Sequence, residues 1–537
     1  MKMAARIRRF AGLSAASVGL SALLVAGSAA QAPIFVLRAG DAVDGGAETV
    51  AALGTGVVSS SGQWAVLART NSTDRAADQV LMRDGVLSVR EGSSVASPAG
   101  AAVDGFGPMD LDDAGNIFQV YYLSGTSGVG DDTGLYRNGA LLLQEGMVSG
   151  APQFGAGTTY RGFLNVKCNG SGTVAALVAA VNDPAVAGDL EIAVIRLDLS
   201  GGAVTGETVI AKQGDVLAGQ TQPVTGFGTG LHQLAVNEPG GVLYFADLAG
   251  DPAVDGTIYL DGTLVAQEGG AAPDPGRTYE LLRSRGLDVN DLGEAIFHAD
   301  LDDSDTSDDA ALVWADSIVV REGDPPPGLP LPGSFVHRDF GAPSSAVAVD
   351  NGGNVAYSAH AGPAANPFPF LASAGQYVIL RQFIMIEGET ILDVYTAAGQ
   401  YSLSAANGWT LFRVLGGTTQ TSFNAFAIAP GPLQGPVDAP AVAGAADGPG
   451  LQAFPNPAPN AVQIRFALDR DAPVTLRVFD VTGRRVATLA DQAWPAGSHA
   501  VAWGGTNEAG RRAAPGTYFV RLNIGDRRYS TRVTLVD

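Results

Sequence analysis

The chain has 537 residues, which is enough for more than one folded domain, and its formal net charge is −22. Three lysines occur in the whole chain, so a sequence-independent grip on the phosphates of a nucleic acid is excluded. Hydrophobic residues make up 46% of the chain and charged residues 16%, which excludes a disordered protein. The single cysteine, Cys168, cannot form an internal disulfide, so stability must come from packing.

The N-terminus combines positive charge with an apolar run. Four basic residues between Lys2 and Arg9 precede the apolar stretch 11–27, which is followed by Ala30-Gln31-Ala32. This order predicts a secretory signal peptide over residues 1–32. An uncleaved membrane anchor is the alternative, but serines interrupt the run, and no later stretch reaches about 18 apolar residues. We expect an exported protein at the cell surface, outer membrane included, or outside the cell.

A polar turn that leads through glycine into an apolar strand recurs seven times, about every 57 residues. Clear copies are LDDAGNIFQVYYL (111–123) and VNEPGGVLYFADL (236–248). A second element, seen as LQEGM at Leu143 and AQEGG at Ala266, recurs seven times in step with the first. Two independent counts therefore predict seven repeats. The turn glycines are Gly62, Gly115, Gly172, Gly240, Gly293, Gly353 and Gly408.

Each repeat also contains a short hairpin. The segment 135–146 turns at Asn138-Gly139 and the segment 258–269 turns at Asp261-Gly262, because Gly, Asn and Asp adopt positive φ at low cost. With a weaker strand before the polar turn, each repeat holds four strands, which predicts a propeller blade. The expected fold class is all-β, with a seven-bladed β-propeller over residues 33–429. An open β-solenoid or a pair of sandwiches is the alternative.

The ends of the repeat region predict ring closure. The segment PIFVLRAGD (33–41) is a lone copy of the last strand of a repeat. The seventh repeat ends with 422–430 and lacks that strand. We therefore expect the N-terminal strand to complete the seventh blade, which removes exposed sheet edges.

The alternation of glycine turn, apolar strand and acidic loop resembles the tandem NxxGxxAF-type repeats of bacterial exported surface proteins. The resemblance implies an architecture and no activity. The first and seventh copies lack the Asn of this pattern. The residues that carry it best are Asn237, Gly240 and Phe245 in one repeat and Asn290, Gly293 and Phe297 in the next.

A linker and a second domain follow the repeats. Residues 430–452 are rich in Pro, Gly and Ala, which predicts an extended linker. Residues 453–537 contain six or seven short segments in which apolar and polar residues alternate, as half-buried strands require. That number of strands in that length predicts a small immunoglobulin-like β-sandwich.

The C-terminal block resembles the C-terminal sorting domain of the type IX secretion system and the immunoglobulin-like domain of flagellar hook-capping proteins. The resemblance implies a sorting or anchoring role, with the secretion machinery or the cell envelope as partner. The two relatives share the matching residues, so sorting signal and accessory sandwich both stay open. Besides FPNP at 454–457, the matching residues are Asp480, Gly483, Gly516, Tyr518 and Arg532.

Motifs for known chemistry are absent from the sequence: there is no HExxH, GxSxG, phosphate-binding loop or GxGxxG. The acidic loop 301–310 is the best candidate site, because Asp303, Asp305 and Asp309 alternate as the oxygen ligands of a hard cation would. It predicts a calcium site, with a solvated acidic face as the alternative, and no other cofactor is expected. The histidines fall in different segments, and we expect packing roles for them.

These features favour a binding protein over an enzyme, and no catalytic residue is assigned. The loops at one end of a propeller surround a concave centre, which suits a glycan, a peptide or another polymer as ligand. One alternative is a secreted hydrolase or lyase that uses acidic residues at the ring centre. The other alternative is a structural component of the envelope.

Overall fold

The computed structural model describes residues 34–429 and 452–535, apart from short internal segments. The predicted signal peptide and residues 430–451 of the predicted linker lie outside the described residues. The segments left out within the two ranges are 44, 185–189, 229–233, 303–308, 325–335, 340–346, 350, 352–354, 363–367, 374–376, 382–384, 387–388, 395–400, 404–409, 418–421, 455–461, 469, 481–483, 495–496, 508–510, 515 and 525–526.

The chain divides into two compact units, Met1–Asp438 and Ala439–Asp537, which we call the repeat unit and the C-terminal unit. The helices and strands assigned to the described residues are all β-strands. The described part of the chain accordingly contains no helix that could cross a membrane. The all-β class predicted from the sequence is confirmed.

The repeat unit begins with the single strand β1 (Ile34–Arg38) and continues with seven sheets, numbered here in chain order. Sheet 1 contains β2 (Val50–Val58), β3 (Trp64–Thr70), β4 (Gln79–Arg83) and β5 (Val86–Arg90). Sheet 2 contains β6 (Ala102–Leu111), β7 (Ile117–Ser124), β8 (Thr133–Arg137) and β9 (Ala140–Gln144). Sheet 3 contains β10 (Thr159–Cys168), β11 (Val174–Asn182), β12 (Glu191–Ser200) and β13 (Ala203–Lys212).

The remaining sheets of the repeat unit follow the same plan. Sheet 4 contains β14 (Val224–Gly226), β15 (Leu234–Val236), β16 (Val242–Leu248), β17 (Gly256–Leu260) and β18 (Thr263–Gln267). Sheet 5 contains β19 (Tyr279–Val289), β20 (Ala295–Leu301), β21 (Ala310–Trp314) and β22 (Ser317–Arg321). Sheet 6 contains β23 (Val336–Asp339), β24 (Val347–Val349), β25 (Val355–Gly362), β26 (Phe368–Ser373) and β27 (Tyr377–Arg381). Sheet 7 contains β28 (Met385–Ile386), β29 (Glu389–Val394), β30 (Tyr401–Leu403), β31 (Thr410–Gly417) and β32 (Ser422–Ala429).

Each sheet is an antiparallel meander in which consecutive strands pair. In sheets 4 and 6 the first strand is split into two pieces that both pair with the second strand. The predicted hairpins join the third and fourth strands, and Asn138 and Asp261 both have positive φ, 50° and 46°. The glycines that follow them, Gly139 and Gly262, do too. Turn chemistry alone therefore fixed these hairpins.

The N-terminal strand β1 belongs to sheet 7. It pairs with β32, and Ile34 and Arg38 lie opposite Ile428 and Ala425. Sheet 7 repeats the plan of its predecessors, with β29 and β30 as a split first strand, β31 as the second and β32 as the third. The strand that the seventh repeat lacks in sequence is thus supplied by the other end of the chain. Arg38 also lies over the ring of Phe35, 3.9 Å from its centroid, and 5.0 Å from that of Phe423, a cation–π arrangement that ties β1 to β32.

Neighbouring sheets pack face to face, which explains why the second strands read as continuous apolar runs. Strand β11 is buried along its whole length except at its last residue. Six hydrophobic clusters join consecutive sheets: 1 with 2, 2 with 3, 3 with 4, 4 with 5, 5 with 6, and 7 with 1. In the last of these, Leu411 and Phe426 of sheet 7 pack with Val50 and Val66 of sheet 1. Sheets 6 and 7 contact each other through β26, β27 and β29.

At five places among the described residues, the second recurring element links one sheet to the next through a backbone hydrogen bond. Its glycine N–H donates to a residue at the start of the following first strand. Gly269 donates to the Tyr279 carbonyl at 2.8 Å, and Gly146 donates to that of Tyr160 at 2.8 Å. The other bonds of this kind run from Gly40 to Val50, Gly92 to Val103 and Gly214 to Val224.

The C-terminal unit is a two-sheet sandwich around one core. One sheet contains β33 (Gln452–Phe454), β34 (Val462–Leu468) and β37 (Gly497–Trp503). The other contains β35 (Ala472–Asp480), β36 (Arg485–Trp494), β38 (Gly516–Ile524) and β39 (Arg527–Leu535). The alternating apolar residues predicted to face inward, such as Ile464 and Leu476, are fully buried in a single cluster.

Candidate functional site

The polar residue that opens each repeat turn holds that turn and reaches the next one. The Asn237 Oδ1 accepts the Gly241 N–H at 2.7 Å, and its Nδ2 donates to the Asn290 carbonyl at 3.1 Å. In turn, the Asn290 Oδ1 accepts the Glu294 N–H at 2.9 Å. Asn237 and Asn290 are both buried. The Asn of the repeat pattern therefore serves the architecture, because it satisfies buried backbone groups of its own turn and of its neighbour.

The turn glycines are required by φ and by the adjacent sheet. Gly240 has φ +86°, and a Cβ there would lie 3.0 Å from Val174 Cγ2 and 3.1 Å from Arg196 Nη2 of the preceding sheet. Gly172 has φ +63°, and its Cβ would lie 2.1 Å from Asp112 Oδ2. Neither position tolerates a side chain without a shift of the neighbouring sheet.

The carboxylate of the second recurring element is also tied to backbone. Glu268 is 4% exposed and accepts the Gly256 N–H at 2.9 Å and the Leu282 N–H at 2.8 Å. The same position in sheet 2 is Glu145, whose pKa is raised to about 7 because it is desolvated and faces the carboxyl of Asp132. Glu268 thus joins the third strand of sheet 4 to the first strand of sheet 5, and neither buried glutamate forms an open site.

The first strands of the sheets contact one another in series, and sheet 1 also contacts β30 of sheet 7. Two residues before the turn, three of these strands carry a charged side chain: Asp110 on β6, Lys167 on β10 and Asp288 on β19. We call this group, with the adjoining Cys168, the inner-strand cluster. The other sheets have Val57, Ala235, Ala348 and Ser402 at the equivalent position.

Contacts of the inner-strand cluster join neighbouring sheets. The Lys167 Nζ lies 3.4 Å from Asp110 Oδ1, with side chains 35% and 15% exposed. The Asp110 Oδ2 accepts the Cys168 N–H at 2.9 Å. The Asp288 Oδ2 accepts the Val349 N–H at 2.9 Å. Each carboxylate thus accepts an amide of the next sheet at an equivalent place, and Lys167 is attracted by both of them.

Protonation follows from these contacts. The negative charge of Asp110 raises the pKa of Lys167, so its ammonium persists at neutral pH. Burial, reinforced by Asp110, raises the pKa of the Cys168 thiol well above its usual value. Burial also raises the pKa of Asp288 to about 6, although the hydrogen bond from the Val349 N–H acts to lower it. The cluster therefore presents a persistent cation, Lys167, beside the carboxylate of Asp110, and the more easily protonated carboxyl of Asp288.

Sequence reasoning missed this cluster because each repeat was searched for a site of its own. A free cysteine usually behaves as a small buried hydrophobe, and Cys168 does so only in part. It packs partly against the core between sheets 2 and 3, but its Sγ also lies 3.6 Å from Asp110 Oδ2. The available signal was a comparison of one position across the repeats, where charged residues replace small or apolar ones.

The candidate calcium loop is described only at its edges. Asp303 and Asp305 lie outside the described residues. Asp309 is half-buried, and its backbone carbonyl accepts the Leu301 N–H at 2.8 Å. Among the residues that the structure describes, no three His, Cys, Asp or Glu side chains are grouped as a metal would require. The calcium site stays a prediction.

Two histidines have defined surroundings. His298 is 2% exposed, and burial, with the charge of Arg283, lowers its pKa to about 3, so it is neutral. In the C-terminal unit, His499 lies edge-on to Trp494 at 4.5 Å and also contacts Phe466. Both are packing residues of their sheets.

The residues matched to the sorting domain have structural roles where they are described. Tyr518 is buried, donates its hydroxyl to the Ala514 carbonyl at 2.6 Å and lies 5.1 Å from the ring of Trp503. Gly516 begins β38 with φ +147°. In the strand ladder, Asp480 is opposite Tyr518 and Arg532 is opposite Phe519. Gly483 lies outside the described residues.

Two family models match parts of the chain. Residues 199–402 match a family of unknown function, DUF7453. Residues 458–526 match the FlgD Ig-like domain. No curated protein matches the chain. The fold thus defines an all-β protein made of repeated four-stranded sheets followed by an immunoglobulin-like domain, and that domain is of the FlgD type.

Several solved structures are distantly similar. PorZ, described as an essential surface component of the type-IX secretion system of Porphyromonas gingivalis, is 13% identical over 90% of this chain and 81% of its own, with a TM-score of 0.14. A puromycin-hydrolyzing peptidase of Mycobacterium tuberculosis is 11% identical over 75% of this chain and 48% of its own, with a TM-score of 0.29. A protein titled glucose dehydrogenase is 15% identical over 58% of this chain and 92% of its own, with a TM-score of 0.24. At these values the similarities carry no functional argument.

Proposed function

We propose that this chain is an exported, non-catalytic binding protein, in which a seven-bladed propeller is brought to the cell surface or the medium by a C-terminal sorting domain. Sheets 1 to 7 are the blades, and β1 closes the ring as the fourth strand of the last blade. The packing of sheet 7 on sheet 1 supports this closure, as does the bond from Gly40 to Val50. In a propeller the first strands of the blades surround the axis.

The inner-strand cluster is the observation that carries the binding role. Asp110 and Lys167 pair between two neighbouring first strands, and Asp288 stands at the equivalent position of a third, where the other first strands carry apolar or small residues. Polar groups converging among apolar walls are typical of a ligand site. One cation and two carboxylates would orient a ligand that offers both donors and acceptors, such as the hydroxyls of a glycan.

Two properties favour binding over covalent chemistry. A nucleophilic lysine needs a lowered pKa, whereas that of Lys167 is raised. A nucleophilic cysteine needs a stabilised thiolate, whereas burial keeps the Cys168 thiol protonated.

The binding role is tested on a glycan array with the chain lacking residues 1–32. For any glycan that the unsubstituted chain binds on the array, we expect Lys167→Met to weaken the affinity at least tenfold. The control is Lys212→Met, which removes the other lysine of the mature chain, an outer-strand residue whose Nζ lies 2.7 Å from Glu191 Oε1. Equal loss in both variants, or none in either, contradicts the assignment.

The sorting role rests on the predicted signal peptide and on the FlgD-type domain at 458–526. A chain truncated after Gly450 should still cross the inner membrane and should then remain periplasmic. Fractionation of native-host cells measures this. Truncated protein at the surface or in the medium, in the amount of the full chain, contradicts a sorting role and leaves an accessory sandwich.

A second candidate is a hydrolase or lyase acting on a polymer at the ring centre. It is favoured by one observation: the pKa of Asp288 is raised to about 6, near the value that a general acid or base needs. A polysaccharide-degradation screen with the wild type and Asp288→Asn decides the matter. Activity that the substitution abolishes supports an enzyme, and no turnover of any array-positive glycan supports the binding role.

A further inference from the structure

We propose that the opposite end of sheets 2 to 4 is a second interaction surface, which docks a basic polypeptide segment carrying apolar side chains. In an antiparallel meander, the connection between second and third strands lies at the same end as the link to the next sheet. We call the described part of this end the loop face, which leaves out residues 185–189. Its fully described segments are 125–132, 145–158, 213–223 and 249–255.

The loop face exposes large apolar side chains at the tips of consecutive sheets. Val129 and Val148 of sheet 2 are 89% and 61% exposed, and Val216 beyond sheet 3 is 59% exposed. Leu190, beside β12, is 53% exposed, and Val254 of sheet 4 is 41% exposed. Single exposed apolar residues are ordinary, but a series on neighbouring tips indicates an interaction site.

Backbone contacts show that the tips within sheet 2 adjoin one another. A Cβ on Gly146 would lie 2.9 Å from the Gly130 carbonyl, so the two segments of this sheet touch. The Gln144 Nε2 also donates to the Asp131 carbonyl at 2.7 Å. Val129 and Val148 therefore stand on two loops that are in direct contact.

Similar contacts continue to sheets 3 and 4. The Gln213 Oε1 accepts the Ile192 N–H at 2.7 Å, which places the segment bearing Val216 beside Leu190. The Gln220 Nε2 donates to Gln267 Oε1 at 3.0 Å. The Gln267 Nε2 donates to the Val254 carbonyl at 3.0 Å. A connected path thus joins the apolar tips of sheets 3 and 4.

Charge determines the kind of partner. The four segments contain acidic residues and no Lys, Arg or His. Membranes and nucleic acids are anionic and would be repelled. A polypeptide with Arg or Lys next to apolar residues would satisfy both features, since its apolar side chains cover the valines while its cations approach the carboxylates. The carboxylates that face solvent at least in part are those of Asp131, Asp132, Asp215, Asp251 and Asp255, whereas Glu145 is buried.

Among the described residues at the opposite end of the sheets, no such series of apolar side chains exceeds half exposure. The strongly exposed apolar residues of this end include Val86 in sheet 1 and Leu292 in sheet 5, which belong to sheets that are not neighbours. Val86 and Leu292 therefore serve as matched controls, because they are as exposed as the loop-face valines and lie far along the chain from them.

The test uses the full chain without its signal peptide and a labelled short peptide of alternating Arg and Leu. We expect saturable binding, weakened at least tenfold in the triple variant Val129→Ser/Val148→Ser/Val216→Ser and unchanged in Val86→Ser/Leu292→Ser. Binding should fall as salt is raised. Asp251→Asn keeps an acceptor for the Ala253 N–H, so the loop is retained, and it should lower the salt dependence.

Several results would overturn the proposal. They are equal affinity for a peptide of alternating Arg and Ser, an equal loss in the control variant, binding of a Glu and Leu peptide, or no binding of the Arg and Leu peptide by the wild type. None of them bears on the role of Lys167 or on sorting, because those experiments use other residues and other readouts.

Discussion

The repeat unit and the C-terminal unit differ in where a sheet finds its packing partner. In the repeat unit, each sheet buries its two faces against the sheets before and after it, and buried Asn and Glu side chains bond to the neighbour's backbone. In the C-terminal unit, two sheets enclose one core. A local change in the repeat unit must therefore affect its neighbours, whereas a change in the sandwich should stay within it.

Removing β1 should destabilise the repeat unit more than any other change considered, and the sandwich should be unaffected. Deletion of residues 34–41 removes the ladder with β32, the bond from Gly40 to Val50 and the contact of Arg38 with two rings. We expect a loss of more than about 4 kcal/mol, spread over the whole repeat unit. Calorimetry of the chain without its signal peptide measures it, and the transition of the sandwich is the internal control. An unchanged melting transition of the repeat unit would contradict ring closure by β1.

A core substitution in the sandwich is the counterpart. Trp503 is 1% exposed and donates its indole N–H to the Thr506 carbonyl at 2.8 Å. Trp503→Ala should cost about 3–5 kcal/mol, confined to the C-terminal unit. Two-transition calorimetry tests this, with Trp503→Phe as the milder control. A shift of the repeat-unit transition by the same amount would show that the units do not unfold separately.

Removing the side-chain bonds of Asn237, which link two turns, should reduce stability by an intermediate amount. Asn237→Ala leaves the Gly241 N–H and the Asn290 carbonyl without their bonds, so we expect a loss of about 1–3 kcal/mol. Asn237→Ser should cost about half as much, because Ser59 in sheet 1 holds its own turn by accepting the Gln63 N–H. Denaturant melts give both values. No loss in Asn237→Ser would mean that the link to the next sheet contributes nothing, and equal losses in both variants would mean that the bond within the turn contributes nothing.

Asp288→Asn should have a smaller effect on the free energy of unfolding, and it should stabilise the protein. The pKa of Asp288 is raised from 3.8 to about 6, so the folded state holds this proton more tightly than the unfolded state. Stability should therefore fall as pH rises from about 4 to about 6, and remain level above. Asp288→Asn cannot ionise, so it should be more stable than the wild type at pH 7 and equally stable near pH 4.

The control for that substitution is its equivalent in sheet 2. Asp110→Asn removes the ion pair with Lys167 and should destabilise the protein at neutral pH. Thermal melts of both variants between pH 4 and pH 7 measure these changes in stability. If Asp288→Asn also destabilises at pH 7, its carboxylate is a needed partner of Lys167 and burial is not its dominant environment.

The smallest effect is expected from removing the whole C-terminal unit. A chain truncated after Gly450 should melt like the repeat unit of the full chain, and residues 452–537 should fold alone, because each unit has its own core. Calorimetry of both pieces tests this. A truncated chain that melts several degrees lower would show that the repeat unit depends on the sandwich.

The sequence by itself determined the local structure of this protein. Asn-Gly and Asp-Gly pairs specify hairpins because few residues adopt positive φ, and strict alternation specifies the strands of the sandwich because side chains alternate between faces. The missing strand of the seventh repeat also predicted the pairing of β1 with β32. The turn and strand rules involve only a few consecutive residues, and the strand pairing follows from counting the repeats. A single sequence is therefore enough to apply them.

The tertiary structure alone decided which distant side chains meet. Asp110 and Lys167 belong to different repeats and carry no motif, and they form an ion pair because their first strands are neighbours. The same holds for the Gln220 and Gln267 contact that joins two loops of the loop face. Such contacts depend on how sheets stack, and stacking is set by the packing of apolar faces, which specifies neighbours without naming the polar residues that the packing brings together.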